Sequence, residues 1–174
     1  MEDFPKSLEG VLKKSIELEE KGYAFYLESA GKVKNSLGKR MLQRLATDEQ
    51  HHIERIKDMF SAIQNETTDG FELANVEIVS FESIFDRMKD QMEDSLDELS
   101  ETGVDDEEVI DIALELEKHS HLFYEKAAAF AEDEKVKAFY KMLAEEEKTH
   151  YEVLNKTRSF LEDPNLFFGA GGAY

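Results

Sequence analysis

Apolar side chains recur every three or four residues along four long stretches of the chain, the spacing of amphipathic helices. The first runs from about Ser7 to Val33 and places Leu8, Leu12, Ile16, Tyr23, Tyr26 and Ala30 on one stripe. A short turn over Gly31–Ser36 follows, then a second helix over about Leu37–Gln64 with Leu42, Leu45, Ile56 and Ile63 inward. Asn65–Ser80 is first polar and then extended in character, and reads as a loop. Phe81–Leu99 is a weaker amphipathic segment, broken by Gly103. Asp105 or Asp106 is suited to cap a third long helix, with Glu107 and Glu108 in its first turn. That helix runs to about Ala131 and a fourth from about Glu134 to Leu161, before a glycine-rich tail.

A repeat organises these stretches. At a fixed offset of 98 residues, Glu17, Leu18, Glu19, Phe25, Tyr26 and Ala30 fall on Glu115, Leu116, Glu117, Phe123, Tyr124 and Ala128. The same offset takes Leu45, Ala46, Glu49, His52 and Glu54 onto Leu143, Ala144, Glu147, His150 and Glu152. Each copy is a helical hairpin, so the expected fold is all-α. It is a single four-helix-bundle domain over 1–174, with hairpins at 7–64 and 105–161, a tail at 162–174, and a long crossover at 65–104 containing an extra helix.

The repeat also carries the chemistry. Each copy holds one Glu-x-x-His and a lone Glu 30 residues upstream: Glu19 with Glu49 and His52, Glu117 with Glu147 and His150. The first turn centres near Lys34 and the second near Glu132, which puts both glutamates of each hairpin at one height. His52 and His150 share a helix face with Glu49 and Glu147. Glu19 falls on an apolar stripe, and Glu49 with His52 and Glu147 with His150 interrupt two more, so this face points inward. Four buried carboxylates would repel one another and carry a heavy desolvation cost. Two divalent cations would neutralise them, which points to a dinuclear metal site. Carboxylate and imidazole donors without sulfur suit iron or manganese, with zinc or cobalt as substitutes.

Composition narrows the rest. A net charge of −19 sets the chain against nucleic acid and anionic membrane surfaces as partners. The absence of cysteine removes disulfides, thiol catalysis and iron–sulfur clusters. No apolar stretch reaches membrane-spanning length and Met1–Gly10 has no signal-peptide pattern, so a cytoplasmic protein is expected.

These residues resemble the ferritin-like di-iron carboxylate superfamily, and within it the rubrerythrin-like branch. The resemblance covers both hairpins and includes Tyr26 and Tyr124, each seven residues after a lone Glu. It implies two iron ions, with Glu49 and Glu147 bridging and Glu19 and Glu117 terminal. It also implies oxidoreductase chemistry on peroxide or dioxygen, with ferrous iron oxidation, binding or storage as the alternative. A storage protein would form a closed multi-subunit shell, and a metal-free helical interaction protein is a third reading. Two departures stand out. The four-cysteine rubredoxin module is missing, so a separate electron donor is expected. Ser120 stands where rubrerythrin has a further Glu, which removes the residue behind that family's redox-linked ligand exchange.

Several neighbours have bland readings. Asp48 and His51 form a rival acid-x-x-His register, matched in the repeat by Glu146 and Thr149, and are expected at the surface with His119. His121 stands four residues after Glu117 and reads as a hydrogen-bonding or packing neighbour ahead of a direct ligand, or as a proton relay. Tyr26 and Tyr124 are core aromatics whose hydroxyls need a partner, and a site carboxylate is the natural one. Phe81, Phe85 and Met88, with Phe160, Leu166, Phe167 and Phe168, look like apolar surface needing cover, which favours a homodimer.

Overall fold

The computed structural model describes residues 4–65 and 104–162, with the side chains of 104–106 excepted. Four helices account for nearly all of them: α1 (Leu8–Ala30), α2 (Ser36–Gln64), α3 (Val104–Phe130) and α4 (Glu134–Glu162). The expected extra helix over 81–99 and the tail patch at 166–168 lie outside the described residues.

Local chemistry sets the helix ends. Ser7 caps α1 by accepting the Gly10 N–H at 3.1 Å. Asn35 Oδ1 accepts the N–H groups of Leu37 and Gly38 at 3.0 and 3.1 Å. Asp133 does the same at α4 for Lys135 and Val136, at 2.8 and 3.0 Å. Asn35 and Asp133 are themselves related by the 98-residue offset, so the repeat extends to its caps. Two boundaries differ from expectation. α1 stops at Ala30 rather than Val33. α3 starts at Val104, which places Asp105 and Asp106 inside its first turn instead of at its cap.

Contacts are dense within each hairpin, and between hairpins α1 lies on α3 and α2 on α4. Side-chain pairings give the directions. Tyr26 meets Glu117 while Tyr124 meets Glu19, so α1 and α3 are antiparallel. Asp48 faces His150 while His52 faces Glu146, so α2 and α4 are antiparallel too. It follows that α2 and α3 run the same way, and that Gln64 and Val104 stand at opposite ends of the bundle. A tight turn cannot join such ends, which are on the order of 40 Å apart at 1.5 Å per residue. The long connection between the hairpins is a geometric necessity.

The core is divided in two. One apolar cluster gathers Tyr26, Leu37, Leu42, Ile110, Leu154 and Phe160 with their neighbours. The other gathers Leu12, Ile56, Met59, Tyr124, Phe139 and Leu143 with theirs. Between them, at mid-height, lie the buried Glu and His side chains. Phe160 corrects an expectation: it is fully buried rather than part of a surface patch. Its position on α4 turns it into the cluster at that end of the bundle. Among the described residues, Leu27, Ile112, Leu122 and Phe130 are the large apolar side chains left exposed.

Candidate metal centre

The structure brings all six predicted residues into one buried cluster. Glu19, Glu49, Glu117 and Glu147 are each under 5% exposed, and His52 and His150 are 1% and 7% exposed. They fall into two groups of four. Glu19, Glu49, His52 and Glu147 offer ligand atoms within 4.8 Å of one another, and so do Glu49, Glu117, Glu147 and His150. Glu49 and Glu147 belong to both groups. The imidazoles face each other with ring centroids 5.6 Å apart and planes 17° from parallel.

The lone glutamates are held from the opposite hairpin. Tyr26 donates its hydroxyl to Glu117 Oε1 at 2.5 Å, and Tyr124 donates to Glu19 Oε1. Each tyrosine thus contributes its ring to an apolar cluster and its hydroxyl to the centre. His121 takes no part in the cluster: half-buried, it donates through Nδ1 to the Ala144 carbonyl at 2.8 Å, tying α3 to α4. His119 and His51 are exposed.

The rival register needs a correction. His51 is at the surface, but Asp48 and Glu146 are not solvated bystanders. Glu146 Oε2 lies 3.4 Å from His52 Nε2, and Asp48 Oδ2 lies 3.6 Å from His150 Nε2. Each acid therefore backs the histidine of the other hairpin. Arg55 grips Glu146 with both terminal nitrogens, at 3.1 and 2.8 Å. A signal for these acids is present in the sequence: both immediately precede the Glu of Glu-x-x-His and share the repeat offset.

Electrostatics in the cluster follow from burial and crowding. Burial pushes the Glu19 carboxyl up, but hydrogen bonds from Glu49, His52 and Tyr124 outweigh it and leave it at about 2. Glu117 is likewise lowered against the effect of burial, by His150, Glu147 and Tyr26. Burial raises Glu49 well above the usual carboxylate range, and the charges of Glu19 and Glu147 raise it further. Glu147 is raised in the same way, by burial and then by Glu19 and Glu117. Burial disfavours a charged imidazole, yet Glu19 and Glu147 carry His52 well above its ordinary value. Against the same burial, Glu117 and Asp48 carry His150 to about 10. Without metal, then, the lone glutamates favour their ionised form, the histidines their protonated form and the two shared glutamates their neutral form.

Protons balance the charge but do not satisfy every atom. Glu117 Oε2, Glu147 Oε1 and His150 Nδ1 are buried without a hydrogen-bond partner. His52 Nδ1 stands 2.9 Å from Glu147 Oε1, close but out of hydrogen-bond alignment. Buried polar atoms are almost always paired. Buried polar atoms that converge without aligned partners fit a cation that displaces their protons, and the oxygen and nitrogen donor set fits iron or manganese.

A small pocket reaches this cluster from the α1–α3 face. Leu18, Lys21, Gly22, Leu116, His119 and Ser120 line it, together with Tyr26, Glu49 and Glu117. Its volume is about 40 Å³, enough for a few water-sized molecules. Gly22 and Ser120 are repeat partners. A Cβ on Gly22 would lie 3.3 Å from the Glu49 carboxylate, so the glycine gives Glu49 its room. No helix among the described residues is long and apolar enough to cross a membrane.

No curated protein and no solved structure is a significant match to the chain. The family model described as Rubrerythrin matches residues 10–158, which take in all six clustered residues and both tyrosines, and the chain belongs to the rubrerythrin family.

Proposed function

We propose that this chain is a dinuclear, iron-holding oxidoreductase acting on peroxide or dioxygen. The observation that carries the reading is the pair of four-residue donor groups sharing Glu49 and Glu147. Glu19 and His52 would hold one ion, Glu117 and His150 the other, and the two shared glutamates would lie between them. A bound iron pair supplies two electrons for cleaving an O–O bond.

The chain's own residues do the rest. Tyr26 and Tyr124 fix the terminal carboxylates, and their buried hydroxyls, raised by burial and by the adjacent carboxylates, remain protonated donors. The two apolar clusters keep bulk water from the centre above and below. The pocket beside Glu49 and Glu117 is of a size that suits peroxide or dioxygen. These 174 residues contain no cysteine to hold a thiolate-bound iron, so the reading calls for an electron source outside them.

Anaerobic loading with Fe(II) tests the reading. The expected result is about two metals per chain, oxidised by peroxide in stopped-flow mixing. Loading that stays at zero, or that survives Glu49→Ala combined with Glu147→Ala, sinks the proposal.

A further inference from the structure

We infer that the two halves of the centre are inequivalent. The half bounded by Glu19 and His52 holds its ion firmly. The half bounded by Glu117 and His150 is the exchangeable one, where a small exogenous ligand enters. The inference rests on the dinuclear reading above. The repeat makes the halves alike in ligand type, so any difference comes from what surrounds them.

Three independent features separate them. The first is internal pairing. His52 donates through Nδ1 to Glu19 Oε2 at 3.0 Å. The corresponding His150 Nδ1 and Glu117 Oε2 stand 3.5 Å apart, and both atoms are buried without a hydrogen-bond partner. One half is closed by its own hydrogen bond in the metal-free chain and the other is not, so the two halves start from different states before any ion binds.

The second is the support behind each histidine. Glu146, behind His52, is gripped by two nitrogens of Arg55 from a partly buried position. The repeat position of Arg55 is Val153, so this clamp has no twin. Asp48, behind His150, meets only a single nitrogen of Arg44 at 3.6 Å, on a side chain that is 45% exposed. A two-pronged arginine–carboxylate contact fixes geometry that a single long contact does not.

The third is access. The pocket wall includes Glu117 and the shared Glu49, but neither histidine and not Glu19, so of the two terminal glutamates only Glu117 borders it. Solvent and small ligands therefore reach the Glu117 half. Carboxylates behind a ligating histidine change metal affinity by about 10–100-fold, so an unequal pair of supports predicts unequal metal affinities.

The test is an anaerobic titration of the metal-free full chain with Co(II), followed by visible absorption. Two steps are expected, with dissociation constants at least about tenfold apart. Azide, added as a probe, should perturb the spectrum only once the second equivalent is bound. Arg55→Gln should weaken the first step about tenfold and leave the second. Asp48→Asn should weaken the second and leave the first, a reciprocal result that does not depend on how well the arginine variant folds. Two indistinguishable steps, equal weakening of both steps by either variant, or azide binding at the first equivalent would overturn the inference while leaving the dinuclear reading intact. No Co(II) binding at all would remove both.

Discussion

Tyr26 on α1 donates its hydroxyl to Glu117 on α3 at 2.5 Å, joining the two hairpins through a carboxylate of the centre. Glu117 Oε2 already lacks a partner, so the tyrosine supplies one of the few donors this buried charge has. Tyr26→Phe should therefore destabilise the metal-free chain by about 2 kcal/mol, the range for losing a hydrogen bond to a buried charged group. Urea unfolding measures this directly. Metal should recover part of the loss, since a cation satisfies the same oxygens. A variant as stable as the parent would show that Glu117 finds another donor.

Metal loading should displace protons in a fixed ratio. In the metal-free centre Glu49 and Glu147 are raised by burial and neighbouring charge, and His52 and His150 are raised by adjacent carboxylates despite burial. All four hold their protons to higher pH than the free groups do, and all four must lose them to act as ligands. Two divalent cations should thus release about four protons per chain. An indicator dye in weakly buffered solution near neutrality counts them. Release of about one proton or none would contradict the protonation pattern derived for the cluster.

Much of this arrangement is legible in the order of residues alone. Helical periodicity and turn residues locate the four helices, and the 98-residue repeat selects Glu49 and His52 over the register one residue away. Hairpin symmetry puts Glu19 level with Glu49. The remainder depends on which helices touch. Asp48 sits about 100° around the helix from Glu49 and looks solvated on its own helix. Only the approach of α4 turns it toward His150. Arg55 escapes notice for another reason: Val153 replaces it in the second copy, so no repeat signal marks it. Phe160 reads as exposed tail surface because periodicity shows no partner for the end of α4, whereas the fold closes a core cluster around it.

Stability without metal should fall as pH rises. The raised histidines stabilise fully below their ordinary value of 6.5, and that contribution is lost as pH climbs, through about 10 for His150. The raised glutamates act in the same direction, because the unfolded chain releases their protons above about 4.5 and the native chain does not. Glu19 works the other way: its contribution is present above 4.5 and lost only as pH falls through about 2. Each extra proton held by the native state lowers stability by about 1.4 kcal/mol per pH unit. The melting temperature of the metal-free chain should drop steadily from about pH 6.5 to 9, while the loaded chain stays nearly level. A flat metal-free profile would refute this.

Gly22 sets metal binding against helix stability. In the middle of a helix a glycine costs about 1 kcal/mol relative to alanine, and α1 carries this one beside Glu49. An alanine Cβ there would meet the Glu49 carboxylate at 3.3 Å, a contact that a side-chain shift of a few tenths of an ångström relieves. In the metal-free chain that shift is cheap, so Gly22→Ala should raise stability by up to about 1 kcal/mol. In the loaded chain Glu49 has no such freedom, because both donor groups need it in place. Metal affinity should therefore fall while the melting temperature of the metal-free chain rises. Thermal unfolding with and without Co(II) gives both readings on one sample. If the variant loses stability without metal as well, Glu49 is already locked before any ion arrives, and the glycine serves the fold rather than the centre.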